Sequence, residues 1–104
     1  MGAVKITVID KVARQDLQRQ YGVDDFKDGE DTTCEVFKVG DTFTSSPGDP
    51  VPAGFCSWAW ADIQRDVEAL KFGGNFPWIK PKGTTIVCCT DALRPVIFKI
   101  ERIE

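Results

Sequence analysis

The sequence predicts an α+β domain: a small, mainly antiparallel sheet, one long helix over about residues 56–72 packed across a face, and a short N-terminal helix. Three observations predict it. Residues 56–72 repeat apolar side chains at helical spacing, Val4–Ile9 alternates with period two, and two β-rich runs near the C-terminus are joined by a short polar loop. A chain ordered strand, helix, extended pieces, helix, strand, strand is best satisfied when the longer helix covers one sheet face.

Taken in order, Val4-Lys5-Ile6-Thr7-Val8-Ile9 is a strand with Val4, Ile6 and Val8 inward. Ala13, Leu17 and Tyr21 recur every fourth residue, and Gly22 follows as a stop, giving a helix of about two turns. Residues 23–33 are polar and acidic. They lack the spacing and closing Glu of an EF-hand, so they read as a solvated loop. Cys34–Ser45 holds Val36, Phe37, Val39 and Phe43 around Lys38-Val39-Gly40-Asp41, a turn joining two short extended pieces. Residues 46–53, rich in Pro, Gly and Ser, lead into the main helix.

On that helix Cys56, Ala59, Trp60, Ile63, Val67 and Leu70 share one face, while Gln64, Asp66, Glu68 and Lys71 lie off its centre as solvated positions. Ser57 is the expected N-cap, Asp62 and Lys71 complement the helix dipole, and Gly73-Gly74 ends the helix. Trp58 falls on a weaker second face with Ala61, Arg65, Ala69 and Phe72. A bulky apolar group there requires a loop, a second subunit or a ligand over it. A loop is the ordinary answer, and Asn75-Phe76-Pro77-Trp78 is placed to supply it. Thr84–Cys89 and Val96–Ile103 are strands joined through Thr90–Arg94, with Pro95 at a strand start.

With 104 residues and 42% hydrophobic content, the chain suits one domain over residues 1–104 with a single modest core. A net charge of −3 argues against nucleic acid as partner, because no basic face is available to replace counterions. No run is long and apolar enough to cross a bilayer, and the first residues lack a signal-peptide pattern, so the expectation is a cytoplasmic protein with reduced thiols. The chain contains no histidine. Ser-His-Asp catalysis, Cys-His catalysis and His-ligated metals are thereby excluded. Neither phosphate-loop nor dinucleotide fingerprint is present.

Chemistry therefore rests on Cys34, Cys56, Cys88 and Cys89. None belongs to a CxxC pair. Cys56 is either a thiol at a helix N-terminus, where partial positive charge favours the thiolate, or a small buried hydrophobe. Cys88 and Cys89 are neighbours on a strand, so at most one faces the helix. A site of Cys34, Cys56 and one of that pair suits a soft metal (zinc or iron) or an iron–sulfur cluster. The same thiols, unligated, are inert core groups or a redox pair. Asp91 and Arg94 flank one hairpin tip. They either bind a small polar ligand, the guanidinium in bidentate fashion, or stabilise the turn. Trp58 and Trp78 can wall a flat-ligand pocket, with Trp60 in the core.

Gly54-Phe55-Cys56-Ser57-Trp58-Ala59-Trp60, Gly73-Gly74-Asn75-Phe76-Pro77-Trp78 and Cys89-Thr90-Asp91 with Arg94-Pro95-Val96-Ile97-Phe98 together resemble a family of short, functionally uncharacterised prokaryotic proteins from anaerobic bacteria and archaea. The likeness runs from Val4 through Cys34 and Val39-Gly40-Asp41 to Arg102-Ile103. It implies that Cys34, Cys56 and Cys89 form the set, Cys88 often having a non-cysteine counterpart. Many family members carry a histidine shortly after the first cysteine, where this chain has Phe37 and Lys38.

The leading expectation is a small module whose three thiols, Cys34, Cys56 and Cys89, gather at the start of the main helix to bind a soft metal or cofactor or to respond to redox state. The rival is a homo-oligomeric interaction module using Trp58, Phe72 and Trp78, with structural cysteines only. An enzyme with Cys56 or Cys89 as nucleophile, supported by Asp91 or Arg94, ranks third for want of a base.

Overall fold

The computed structural model describes residues 2–24, 26 and 31–103. Four antiparallel strands form one sheet: β1 (Val4–Lys11), β2 (Thr42–Ser45), β3 (Thr84–Cys88) and β4 (Val96–Arg102), in the spatial order β2-β1-β4-β3. Among the described residues, two helices, α1 (Gln15–Tyr21) and α2 (Ser57–Lys71), complete the α+β architecture. β2 and β3 lie on opposite edges, so the chain between them must cross the sheet, and α2 makes that crossing.

β1 is central because its alternation is the cleanest. Val4, Ile6 and Val8 are fully buried, and the strand pairs with β2 on one side and β4 on the other. Opposite pairs such as Ile6 with Ile100 and Val8 with Phe98 set the register. Between Val8 and Asp10 the register shifts by one residue, a bulge at Ile9. The strand consequently runs to Lys11, beyond the alternating segment seen in the sequence.

The inward faces of β1 and β4 meet Ala59, Ile63, Val67 and Leu70 of α2 in one core. At one end that core is aromatic. Phe37 is edge-on to Phe43, Phe55 and Phe98 at centroid distances of 6.0, 5.0 and 5.2 Å, and Trp60 packs beside Phe55 at 5.8 Å.

α2 stops where two backbone bonds close its last turn. The N–H of Gly73 donates to Leu70 O at 3.1 Å and that of Gly74 to Ala69 O at 2.9 Å, with Gly73 at φ +89. Arg102 at the end of β4 clasps the same turn, its Nη1 donating to Leu70 O at 2.8 Å and Gly74 O at 2.9 Å.

Several sequence expectations need correction. Ser57 is not the N-cap: Cys56 occupies that position, and no side chain caps the helix. Lys71 is not solvated but 1% exposed, and its Nζ donates to Ser46 O at 2.9 Å. In α1 the buried side chain is Gln18, while Tyr21 is 72% exposed. Gln18 bonds the carbonyls of Thr32 and Leu93, so a polar group faces inward where Leu17 was expected. Cys34–Phe37 is irregular rather than extended, and only Thr42–Ser45 forms a strand. The turn between them holds, through Asp41 N to Lys38 O and Lys38 N to Asp41 Oδ2. Of the acidic 23–33 loop, Asp25, Asp28 and Glu30 lie outside the described residues.

Candidate functional site

The segments that converge at the start of α2 come from three distant parts of the chain. Cys34 precedes Phe37, whose burial pins the irregular segment, and Lys11 Nζ donates to Cys34 O at 3.0 Å. Cys56 stands at the N-cap of α2, where its carbonyl accepts the first helical bond from Trp60 N at 2.9 Å and its thiol is left out of capping. Cys89 follows β3 directly. Its N–H donates to Val96 O at 3.1 Å, and Val96 N returns a bond to the Cys89 sulfur at 3.4 Å, so Sγ stands in for a ladder carbonyl.

These three cysteines, each half-buried, line a single cavity of about 500 Å³. Its walls add Val36, Phe37, Ala59 and Val96, and its rim adds Trp58, Thr90, Asp91, Ala92 and Arg94. Of the residues picked from sequence as metal-binding or cofactor-binding, all but one meet here. Trp78 does not: it lines a separate pocket with Phe76, Lys80 and Lys82 and packs on Phe76 at 5.4 Å. Cys88 points away from the cavity and is exposed, as strand alternation demands.

Sharing a cavity is not coordination. Among the described residues, no three cysteine, aspartate or glutamate side chains are grouped so as to hold a metal ion. Cys34, Cys56 and Cys89 therefore form a thiol-lined space and not a ready ligand set.

The rim is rigid because its polar groups are cross-bonded. Thr90 N donates to Asp62 Oδ2 at 2.8 Å, its hydroxyl donates to the same carboxylate, and Trp58 Nε1 donates to Thr90 Oγ1 at 3.4 Å. Asp62, expected to serve the helix dipole, thus fastens the β3–β4 loop onto α2. Asp91 accepts from Leu93 N at 3.0 Å and Arg94 N at 3.2 Å through Oδ1, and from Arg94 Nε at 3.2 Å through Oδ2. The turn-stabilising role of Asp91 is therefore real, and it also orients Arg94. The guanidinium lies over the Phe26 ring, 5.3 Å from its centroid. From below, Gln18 and Arg14 bond the Leu93 carbonyl and hold the hairpin tip against α1.

Thr33, through its hydroxyl and N–H, holds the Asp31 carboxyl below its usual range. The exposed Arg14–Asp16 pair raises the guanidinium and lowers the carboxyl.

Trp58 remains 73% exposed, and residues 75–78 do not fold back over it. Val36, Phe37, Ala92 and the Asp62–Thr90–Trp58 chain were missed in sequence. The i, i+4 spacing of Trp58 and Asp62 was the signal available for the last of these. Comparison with protein-family models, curated proteins and solved structures returns no match, so the site stands on its own residues. Among the described residues, no helix is long and apolar enough to cross a membrane.

Proposed function

We propose that this chain is a small module whose thiol-lined cavity is its working site, with Cys34, Cys56 and Cys89 acting by redox response or by engaging a soft metal or cofactor. The observation that supports the reading is their shared cavity, reached from a loop, a helix start and a strand end. Of the two, redox response comes first, because it needs only two thiols to meet, whereas among the described residues no three such groups are placed to hold a metal. In that step two thiols join as a disulfide, and a peroxide taking the two electrons and two protons leaves as water.

The test is oxidation of reduced protein with stoichiometric hydrogen peroxide, followed by denaturing alkylation and peptide mass mapping. The expected product is an intramolecular disulfide between two of Cys34, Cys56 and Cys89, lost in Cys56→Ser if that thiol is a partner. Bonds made only through the exposed Cys88 between chains, or no disulfide at all, would overturn the redox reading. Binding of Co²⁺ with thiolate charge-transfer bands by protein prepared without oxygen would then favour the metal.

A second reading is favoured by the exposure of Trp58, Phe72 and Trp78, at 73, 69 and 74%. In it, these side chains meet a second copy of the chain. Light scattering of wild type against Trp58→Ala decides: a monomer unaffected by the change removes it.

A further inference from the structure

We infer that the cavity binds an organic monoanion with a flat apolar body, its anionic group taken by Arg94 and its body by Trp58 and the apolar wall. The inference rests on the cavity being the working site, though not on any reaction of its thiols. A volume of about 500 Å³ falls within the range of small-molecule sites, which are mostly apolar with a few fixed polar groups. Here the apolar part is Val36, Phe37, Ala59 and Val96. Phe37 cannot swing away, because three other rings contact it.

The charge at the rim sets the ligand's sign. Among the described residues, Arg94 is the one cationic side chain lining the cavity. Its Nε is bonded to Asp91, while neither Nη takes a hydrogen-bond partner among the described residues. Asp91 has both oxygens occupied, by two backbone N–H groups and by that Nε. Arg94 thus offers a planar fork of donors braced by Asp91 and by the Phe26 ring, the arrangement that recognises a carboxylate or sulfonate. A dianion such as a phosphate ester is disfavoured by the Asp91 carboxylate beside it and by the net charge of −3. A cation would meet Arg94 directly.

Trp58 supplies the flat wall. Its indole N–H is committed to Thr90, which Asp62 fixes in turn, so the ring keeps one orientation while its surface stays open. An oriented, exposed indole beside an apolar cavity is a stacking surface for an aromatic ligand.

The test uses fully reduced protein and two probes of one shape, 1-naphthoate and 1-naphthalenemethanol, titrated by calorimetry. Naphthoate is expected to saturate at one per chain and to bind at least about tenfold tighter than the alcohol, as a charge-assisted pair requires. Arg94→Gln should bring the two probes together, and Arg94→Lys should retain part of the difference. Naphthoate should also slow alkylation of Cys34, Cys56 and Cys89 by iodoacetamide while leaving Cys88 at its unliganded rate. Equal affinity of the two probes for wild type would overturn the inference, and so would protection extending to Cys88. Both wild-type readouts stand even if Arg94→Gln fails to fold. Because no oxidant is present, an absent disulfide in the earlier experiment leaves this result untouched.

Discussion

Thr90 shows how one side chain can fix a site without lining its floor. Its N–H and hydroxyl both go to Asp62, and its oxygen receives the Trp58 indole. Thr90→Val keeps the shape but removes the hydroxyl, leaving Trp58 without its acceptor. The variant should lose about 1–2 kcal/mol in urea unfolding, and the Trp58 indole proton should move toward its water-exposed NMR position. An unchanged indole resonance would mean that the bond is not formed in solution. Asp31 offers a pH test at the same scale. Its folded carboxyl is held below its ordinary value of 3.8 by Thr33, so the contribution to stability is present above that pH. It is lost as pH falls through the lower folded value. NMR titration should show the Asp31 carboxyl protonating at lower pH than in Thr33→Ala.

At the scale of elements, what was readable in the sequence is what one periodicity controls. β1, β4 and the buried stripe of α2 follow from alternation and from i, i+3/i+4 spacing, and their inward residues are the expected ones. The failures share a cause: tertiary partners that no local pattern reveals. Lys71 is buried because a Ser46 carbonyl from another loop meets its ammonium, and Gln18 because two carbonyls need a donor. Cys34–Phe37 has strand-like residues, yet Phe37 gains more by entering the aromatic core than by pairing. Of the site, the three thiols, Trp58, Asp91 and Arg94 were readable because chemistry-bearing residues are few in a chain without histidine. Trp78 was misplaced because nothing in the sequence shows that residues 75–78 turn away from α2. The helix end gives an element-scale prediction. Gly73 has φ +89 with nothing near its missing Cβ, so Gly73→Ala tests backbone strain alone. It should cost about 1 kcal/mol. Arg102→Ala, which frees the Leu70 and Gly74 carbonyls, should cost more. If thermal unfolding ranks the two variants in reverse order, Arg102 is not the clasp described above.

Across the whole molecule, the cavity lies where three separately ordered regions meet: the irregular segment before Phe37, the start of α2 and the end of the β3–β4 hairpin. Among the described residues no hydrogen-bond ladder joins the first of these to the other two, so side-chain packing carries that junction, while Lys11 of β1 holds the segment through Cys34 O. A disulfide across the cavity would change this. Joining any two of Cys34, Cys56 and Cys89 closes a loop of roughly 20 to 55 residues, which in the chain-entropy account destabilises the unfolded chain by about 3–4 kcal/mol. Some of that gain is offset if the sulfurs must be drawn together, since the loop and the hairpin tip have to shift. The oxidised protein should therefore melt several degrees higher than the reduced protein in calorimetry. Its backbone amides at residues 34–37 and 89–94 should exchange more slowly with deuterium, while those in the centre of β1 change little. A lower melting temperature on oxidation would mean that the bond forms only by breaking native packing. The thiols would then be a liability guarded by burial, and the cavity's purpose would lie in the ligand alone.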